Sequence, residues 1–494
     1  MKFATNLNQT PSVAQSEASE LPLVVDLDGT LTRSDLLVES FFRLLALNPL
    51  SFFKLPFWLM KGKAAFKAKI ADHVVLDLHL LPFNEELVCY IQAERARGRK
   101  IYLASASDRR YVEALADHLG FFDGVFASDG TTNLGGSEKA RVLCETFGEK
   151  GFDYAANAEV DLKVWEKCRQ AILVDVPHRV RKLATKRCEN VHEVSPPRTP
   201  KQLVRGYMKA MRLHQWLKNS LVFLPALASH SFDAATLGNA FLAFLAFSLC
   251  ASSVYLLNDL IDLPNDRAHP TKKNRPFACG AVPLSHGILL IPLLLIGAAA
   301  IALFLPLAFV AILAAYYCTT LLYSVLLKQK IVVDVLTLAG LYTLRVLAGA
   351  AATGIMVSEW LLAFSMFLFL SLALIKRYSE LVDRLRSSRK GKAAGRGYGT
   401  DDTPMVGALA GASGFVSVLV LALYINSPDV DLLYNHPEAL WAIGILMLYW
   451  VSRILMLAHR GEVHDDPVVF AVKDRMSLLT VGLAGVAVIV GSLP

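Results

Sequence analysis

Nine apolar segments follow one another from Trp216 onward, at roughly 216–232, 238–257, 285–304, 306–326, 332–353, 359–379, 405–425, 438–458 and 474–493. Most approach the ~20 residues that an α-helix needs to cross the hydrocarbon core of a bilayer. Lipid offers no partner to a backbone N–H or C=O, so this series predicts an all-α bundle of nine transmembrane helices over 212–494. The connecting loops set its orientation. Those after the second, fourth, sixth and eighth segments hold Arg267, Lys272, Lys273 and Arg275; Lys328 and Lys330; Arg384, Arg386, Arg389, Lys390, Lys392 and Arg396; and Arg460, Lys473 and Arg475. The alternate loops contain no lysine or arginine. Positive loops stay on the cytoplasmic side, which predicts an inner-membrane protein with its C-terminus outside.

The first 200 residues read differently. A polar stretch, 1–20, is expected to be a disordered tail and does not look like a cleavable signal, so the domain behind it is expected in the cytoplasm. A linker is expected over 195–211, where Pro196, Pro197 and Pro200 resist continued helix or strand. The seven cysteines lack a CxxC or regular spacing and are expected as reduced packing thiols rather than a disulfide framework or zinc site. A net charge of +7 says less than its placement in the loops, and no nucleic-acid partner is expected.

The most chemically loaded stretch is 258–276. It closes the second apolar segment with Asn258, Asp259, Asp262 and Asp266, then turns basic with Lys272, Lys273 and Arg275. Aspartates at i, i+3 and i+7 share one face of a helix, because each residue turns roughly 100°. Carboxylates followed by cations suit Mg2+ and a diphosphate, and polar groups near membrane depth are costly enough to be functional.

In the N-terminal domain, 21–194, a β-branched apolar strand delivers Asp26 and Asp28 into a Gly29-Thr30 turn, and a second buried strand, 101–107, ends in the hydroxyls of Ser105 and Ser107. Gly135-Gly136-Ser137-Glu138-Lys139 and the segment 154–161 follow. These four landmarks resemble, in order, the motifs of the haloacid-dehalogenase-like (HAD) phosphohydrolases. The resemblance implies an α/β, Rossmann-type fold, with Asp26 as nucleophile toward phosphorus, Asp28 as the proton carrier, Ser105 binding phosphate and Lys139 steadying an aspartyl-phosphate. It also implies a Mg2+ site on Asp26, Asp28, Asn157 and Asp161, with Ala156 and Asn157 standing where the family carries glycine and aspartate. Asn157 supplies an oxygen but no charge, so both an active phosphatase and a non-catalytic binding module remain open. The long interval between the first two motifs predicts a helical cap over about 33–98. Its aromatic- and lysine-rich part, 52–63, suits either a membrane-surface segment or a cap helix packed on its own core.

The helical half, with its NDxxDxxxD stretch after the second segment, resembles the UbiA superfamily of intramembrane prenyltransferases, in which such aspartates hold Mg2+ ions against a diphosphate. The flanking segments 212–219, 269–276, 323–328 and 376–380 are similar to the decaprenyl-phosphate phosphoribosyltransferase branch, departing from it at Leu213 and His214. That resemblance makes Asn258, Asp259, Asp262 and Asp266 the metal-binding set, with Asp334 completing a second site. Arg212, Gln215, Lys218, Asn219, Lys272, Arg275, Tyr323, Lys328, Arg345, Lys376, Arg377 and Glu380 become substrate-binding candidates. It implies transfer from phosphoribosyl diphosphate (PRPP) to a polyprenyl phosphate, and the fusion of the two halves suggests that the HAD-like half removes the ribose 5-phosphate. The alternative is a prenyltransferase taking a polyprenyl diphosphate to an aromatic acceptor. The oligomeric state is not legible in the sequence.

Overall fold

A computed structural model describes residues 21–386, 397–431, 433–463 and 466–493. The expected tail 1–20 and the loop residues Arg389, Lys390, Lys392 and Arg396 lie outside the described residues. Two compact units are present: Met1–Met211 together with Leu256–Leu289, and Arg212–Tyr255 together with Leu290–Pro494. The units do not follow chain order as the sequence suggests, because the stretch 258–276 packs with the N-terminal domain.

The first unit is built on β1 (Leu23–Asp26), a helical insert α1 (Leu36–Leu47), α2 (Leu55–Met60), α3 (Lys63–Ala71) and α4 (Glu85–Ala96), then β2 (Ile101–Asp108), α5 (Arg109–Leu119), β3 (Gly124–Ser128), α6 (Gly136–Phe147), β4 (Asp153–Ala156), α7 (Leu162–Trp165), β5 (Gln170–Val174), α8 (His178–Arg187) and β6 (Val191–Ser195). All six strands are parallel, in the order β3-β2-β1-β4-β5-β6. Strand residues point alternately to the two faces: Leu23, Val25 and Leu27 enter one core while Val24, with Ala104, Tyr154 and Trp165, enters the other. A sheet covered on both faces explains why these strands read as unbroken apolar runs. From β1 the chain runs to β2 and β3 on one side and then crosses back to β4, β5 and β6 on the other, and at such a switch point the carboxyl ends of the strands open a crevice for ligands. Asp26 stands at that end of the central strand.

The insert between β1 and β2 is helical as the sequence predicts. In its 52–63 part only Leu55 is buried and Trp58 packs partly on the core, while Phe52, Phe53, Phe57 and Met60 face outward. The expected linker contains a helix, α9 (Pro200–Ala210). Proline at its first position lacks an N–H that a helix start does not use, and Thr199 with Gln202 closes a capping box, so the prolines begin a helix rather than forbid one.

After α9 come α10 (Leu224–Ala228), α11 (Ala234–Ile261), α12 (Leu263–Ala268), α13 (Leu284–Ala302), α14 (Leu307–Val325), α15 (Val333–Thr353), α16 (Glu359–Arg386), α17 (Thr403–Ile425), α18 (Pro428–Asp431), α19 (Trp441–His459), α20 (Pro467–Lys473) and α21 (Arg475–Ser492). Among the described residues eight helices are long and apolar enough to cross a membrane, against nine segments read from the sequence. The first segment differs: Leu213–Phe223 is a 3-10 run leading into the short α10. Buried Lys218 and Asn219 in that run must both find polar partners, which a uniform lipid-facing helix would not supply.

Candidate functional site

In the first unit, Asp26 is 7 % exposed. One carboxylate oxygen accepts from Lys139 Nζ at 2.6 Å and the other from Thr30 Oγ1 at 3.0 Å. Lys139 also reaches the Tyr154 hydroxyl at 2.9 Å. Burial disfavours the charge of Lys139, but Asp26 and Asp161 outweigh it and hold its pKa above the usual lysine value. Asp28 accepts from the Leu36 N–H at 2.8 Å, from Ser105 Oγ at 2.9 Å and from Ser107 Oγ at 2.7 Å. Burial, then the nearby Asp35 charge, pushes Asp28 up to about 7, a value suited to giving and taking a proton at neutral pH. The turn that brings the two aspartates together needs glycine: Gly29 has φ +78°, and a Cβ there would stand 2.5 Å from Asn157 Nδ2.

Ser105 therefore sits on Asp28, and its hydroxyl also accepts from the Ser107 N–H at 2.9 Å. Asn157 Oδ1 accepts from Thr30 Oγ1 at 3.2 Å, beside the same loop. Asp161 is buried, accepts from Tyr154 OH and the Ala158 N–H, both at 3.1 Å, and is pushed up to about 7 by burial and by Asp26. Asp26, Asn157 and Asp161 offer only oxygen donors, the chemistry Mg2+ requires, so the residues fit that ion with less negative charge than three carboxylates would give. The side chain of Asp28 is taken by its three donors, which favours the proton-carrier role over the ligand role. Sequence reasoning missed Lys67 of α3, whose Nζ donates to Ala106 O at 2.6 Å and Asn133 Oδ1 at 2.8 Å. Burial lowers its pKa, while Asp28 and Asp35 act in the opposite direction. A lysine in a cap helix has no period or spacing that marks it.

The same unit contains the acidic stretch. α11 ends at Ile261 and α12 starts at Leu263, so the three aspartates do not share one unbroken helix as the spacing predicts. Pro264 has no N–H to continue the ladder, and Asp262 becomes the cap between the helices. Asp259 and Asp266 still meet: Arg275 Nη1 lies 3.1 Å from Asp259 Oδ1 and 2.6 Å from Asp266 Oδ2. Burial raises the Asp266 pKa against the lowering effect of Arg275. Asn258 and Asp262 flank this pair at half-buried positions, and Lys272 is exposed on the following turn. Among the described residues no three acidic, histidine or cysteine side chains are already arranged around one point. Two buried carboxylates gathered on one cationic nitrogen are nevertheless an oxygen donor set of the chemistry a divalent cation takes.

In the second unit most of the remaining candidates belong to buried groups of paired polar side chains. Asp334 is fully buried and accepts from Tyr323 OH at 2.7 Å and from Arg377 Nη2 at 3.0 Å; Arg377 also pairs with Glu380. Both oxygens of Asp334 are engaged, Oδ1 by Tyr323 and Arg377 and Oδ2 by Arg377 Nε. Next to Arg377, Lys376 reaches Asp466 Oδ2 at 3.1 Å, and Lys218 reaches the same oxygen at 2.7 Å. Asn219 accepts from Arg345 Nε at 2.8 Å and donates to Ser248 Oγ at 2.9 Å. Arg345 also reaches Tyr316 OH at 3.1 Å. Arg212 lies over the Tyr255 ring at 5.2 Å, and the Gln215 N–H donates to Arg212 O at 2.7 Å. Lys328 lies on the turn after α14. Asp466 and Tyr316 were not singled out from sequence. An Arg377→Met change would remove the guanidinium that faces buried Asp334, and is expected to cost about 3–5 kcal/mol. Thermal unfolding of detergent-purified protein measures this, and an Asp334→Leu/Arg377→Leu pair is expected to recover most of the loss.

The chain thus joins a parallel α/β domain to a series of helices long and apolar enough to cross a membrane. The chain belongs to the UbiA prenyltransferase family, whose model matches residues 220–397. It is 36% identical over 462 residues to the uncharacterised protein y4nM of Sinorhizobium fredii, covering 93% of this chain and 88% of that one. It is 31% identical over 316 residues to the decaprenyl-phosphate phosphoribosyltransferase of Mycolicibacterium smegmatis, covering 62% of this chain and 98% of that one. Among solved structures, a UbiA homolog from Archaeoglobus fulgidus bound to DMAPP and Mg2+ aligns with 57% of this chain and 99% of its own, at 16% identity and a TM-score of 0.45.

Proposed function

We propose that the helical half transfers a phosphoribosyl group from PRPP to a polyprenyl phosphate at the cytoplasmic face of the inner membrane, and that the HAD-like half then removes the ribose 5-phosphate. The observation that carries the first step is the similarity, over nearly its full length, to a protein named for that transfer. Mg2+ held by Asp259, Asp266, Asp262 and Asn258 would neutralise the diphosphate leaving group. Arg275 and Lys272 supply cations beside the same group, and Arg275 is freed for this when the carboxylates turn to another partner. The bond from ribose C1 to the diphosphate breaks, and a bond forms from C1 to an oxygen of the lipid phosphate. That oxygen is already anionic, so no strong base is required. Arg345, Lys376, Arg377 and Lys218 are the cations available to the 5-phosphate and the acceptor phosphate.

In the second step Asp26 attacks the phosphorus of the 5-phosphate while Asp28 protonates the departing ribose oxygen. Lys139, already 2.6 Å from Asp26, offsets the negative charge of the aspartyl-phosphate. Asp28 then takes a proton from the water that releases inorganic phosphate. Asn157 favours a second reading in which the domain only binds a phosphorylated ligand. The test is purified protein in lipid nanodiscs with ribose-labelled PRPP and a polyprenyl phosphate. Label is expected in the lipid phase together with released phosphate, and both are expected to stop when EDTA is added. Label that stays aqueous, with a polyprenyl diphosphate consumed instead on an aromatic acceptor, would establish the prenyltransferase alternative. The basic loops predict the C-terminus outside, and a C-terminal tag cleaved by protease added to right-side-out spheroplasts but protected in inside-out vesicles checks that orientation.

A further inference from the structure

Arg267 lies between the acidic stretch and the phosphatase loop, and neither proposed reaction uses it. It follows Asp266 on α12 and is 8 % exposed. Its Nη1 and Nη2 reach the two oxygens of Glu39 at 2.8 and 2.7 Å, a bidentate pair between residues 228 apart in sequence. Nη2 also lies 3.3 Å from Ser34 Oγ, and Nε donates to Ala278 O at 3.0 Å. Glu39 is itself buried and accepts from the Ser34 hydroxyl. Burying two charges gains little stability over apolar packing, so such a pair calls for an explanation in positioning.

The positions it holds are those around Asp28. Ser34 O accepts from the Gly29 N–H at 2.9 Å, and Asp35 caps α1 through the Val38 N–H at 3.0 Å. Leu36, next to that cap, gives its N–H to Asp28. The loop 29–36 is thus clasped by Asp28 at one side and by Arg267 at the other. The backbone near Arg267 is seated against the same loop at one further point. Gly280 has φ +67°, and a Cβ there would stand 2.5 Å from Arg33 Cβ, so only glycine permits this approach. Arg198 Nη1 donates to the neighbouring Ala281 O at 2.6 Å.

We propose that Arg267 and Glu39 form a positioning pair shared by the two centres, with Arg267 aligning Asp28 through Glu39 and Ser34, and Glu39 aligning Asp266 through Arg267. This rests on the two-reaction reading given above. It makes each half sensitive to a residue of the other. In full-length protein, Arg267→Met is expected to lower kcat for phosphate release at least tenfold with KM within twofold, and Arg267→Lys to restore part of it. Glu39→Gln is expected to lower kcat for lipid labelling, although Glu39 belongs to the HAD-like domain. The double variant is expected to be no worse than the poorer single, because the two residues act as a unit. Amide hydrogen exchange at Gly29 and Leu36 is expected to quicken in Arg267→Met and to return toward wild type in Arg267→Lys. Phosphate release within twofold of wild type in Arg267→Met, losses that multiply in the double variant, or unchanged exchange would each overturn the proposal. If Arg267→Met does not fold, Arg267→Lys with Glu39→Gln carries the same comparison. Should wild-type protein release no phosphate at all, the phosphatase reading fails, while the exchange measurement still decides the pair.

Discussion

Asp26→Asn is expected to abolish phosphate release, by roughly 10^3-fold or more, while labelled ribose still enters the lipid at the wild-type rate. Loss of a nucleophile removes the covalent route altogether, and losses on this scale follow when a group acting as part of a catalytic unit is deleted. The substitution is close to isosteric. Its amide oxygen can still accept from Lys139, and its other atom still faces Thr30, so the fold of the β1 turn is expected to survive. The separation of the two readouts is the informative part. Phosphate release that persists in Asp26→Asn would show that the HAD-like centre is not its source. No change in either readout, with wild type releasing no phosphate, would establish the binding-module reading that Asn157 favours.

Asp259→Asn is expected to reduce lipid labelling by roughly 10^2- to 10^3-fold, the range seen when one electrostatic partner is removed from a preorganised site. Asp259 and Asp266 share Arg275, so removing one carboxylate leaves a site with less negative charge to hold a divalent cation and leaves Arg275 with one partner fewer. Raising Mg2+ is expected to recover part of the loss, since weakened affinity is overcome by concentration. Phosphate release from phosphoribosyl lipid supplied ready-made is expected to continue. If Asp259→Asn labels lipid as fast as wild type at every Mg2+ concentration, the acidic stretch is not the diphosphate site.

Local chemistry was legible where it has a local rule. The strand that delivers Asp26 and Asp28 is apolar because both faces of a parallel sheet are covered, and Gly29 is required by the turn itself. Eight of the nine apolar segments are long helices, since the need to satisfy backbone groups in lipid leaves few other conformations. The segment 216–232 looked like the rest by hydropathy, and it differs because Lys218 and Asn219 are satisfied by Asp466, Ser248 and Arg345, residues far away in the chain. The spacing of Asp259, Asp262 and Asp266 suggested one helical face. Pro264 breaks the helix, yet Arg275 regathers Asp259 and Asp266.

Sequence by itself therefore determined the division into an α/β part and a membrane bundle, the strand-end aspartates and the acidic stretch at the close of the second long apolar run. These follow from periodicity, from hydrogen-bond demand in lipid and from glycine geometry, each of which acts within a few residues. Tertiary structure alone decided that the acidic stretch belongs to the same compact unit as the HAD-like domain, that Lys67 reaches the end of β2 and that Arg267 meets Glu39. Such pairings join groups across tens or hundreds of residues and leave no period in the chain. They exist because a buried charge must find a partner wherever packing brings one.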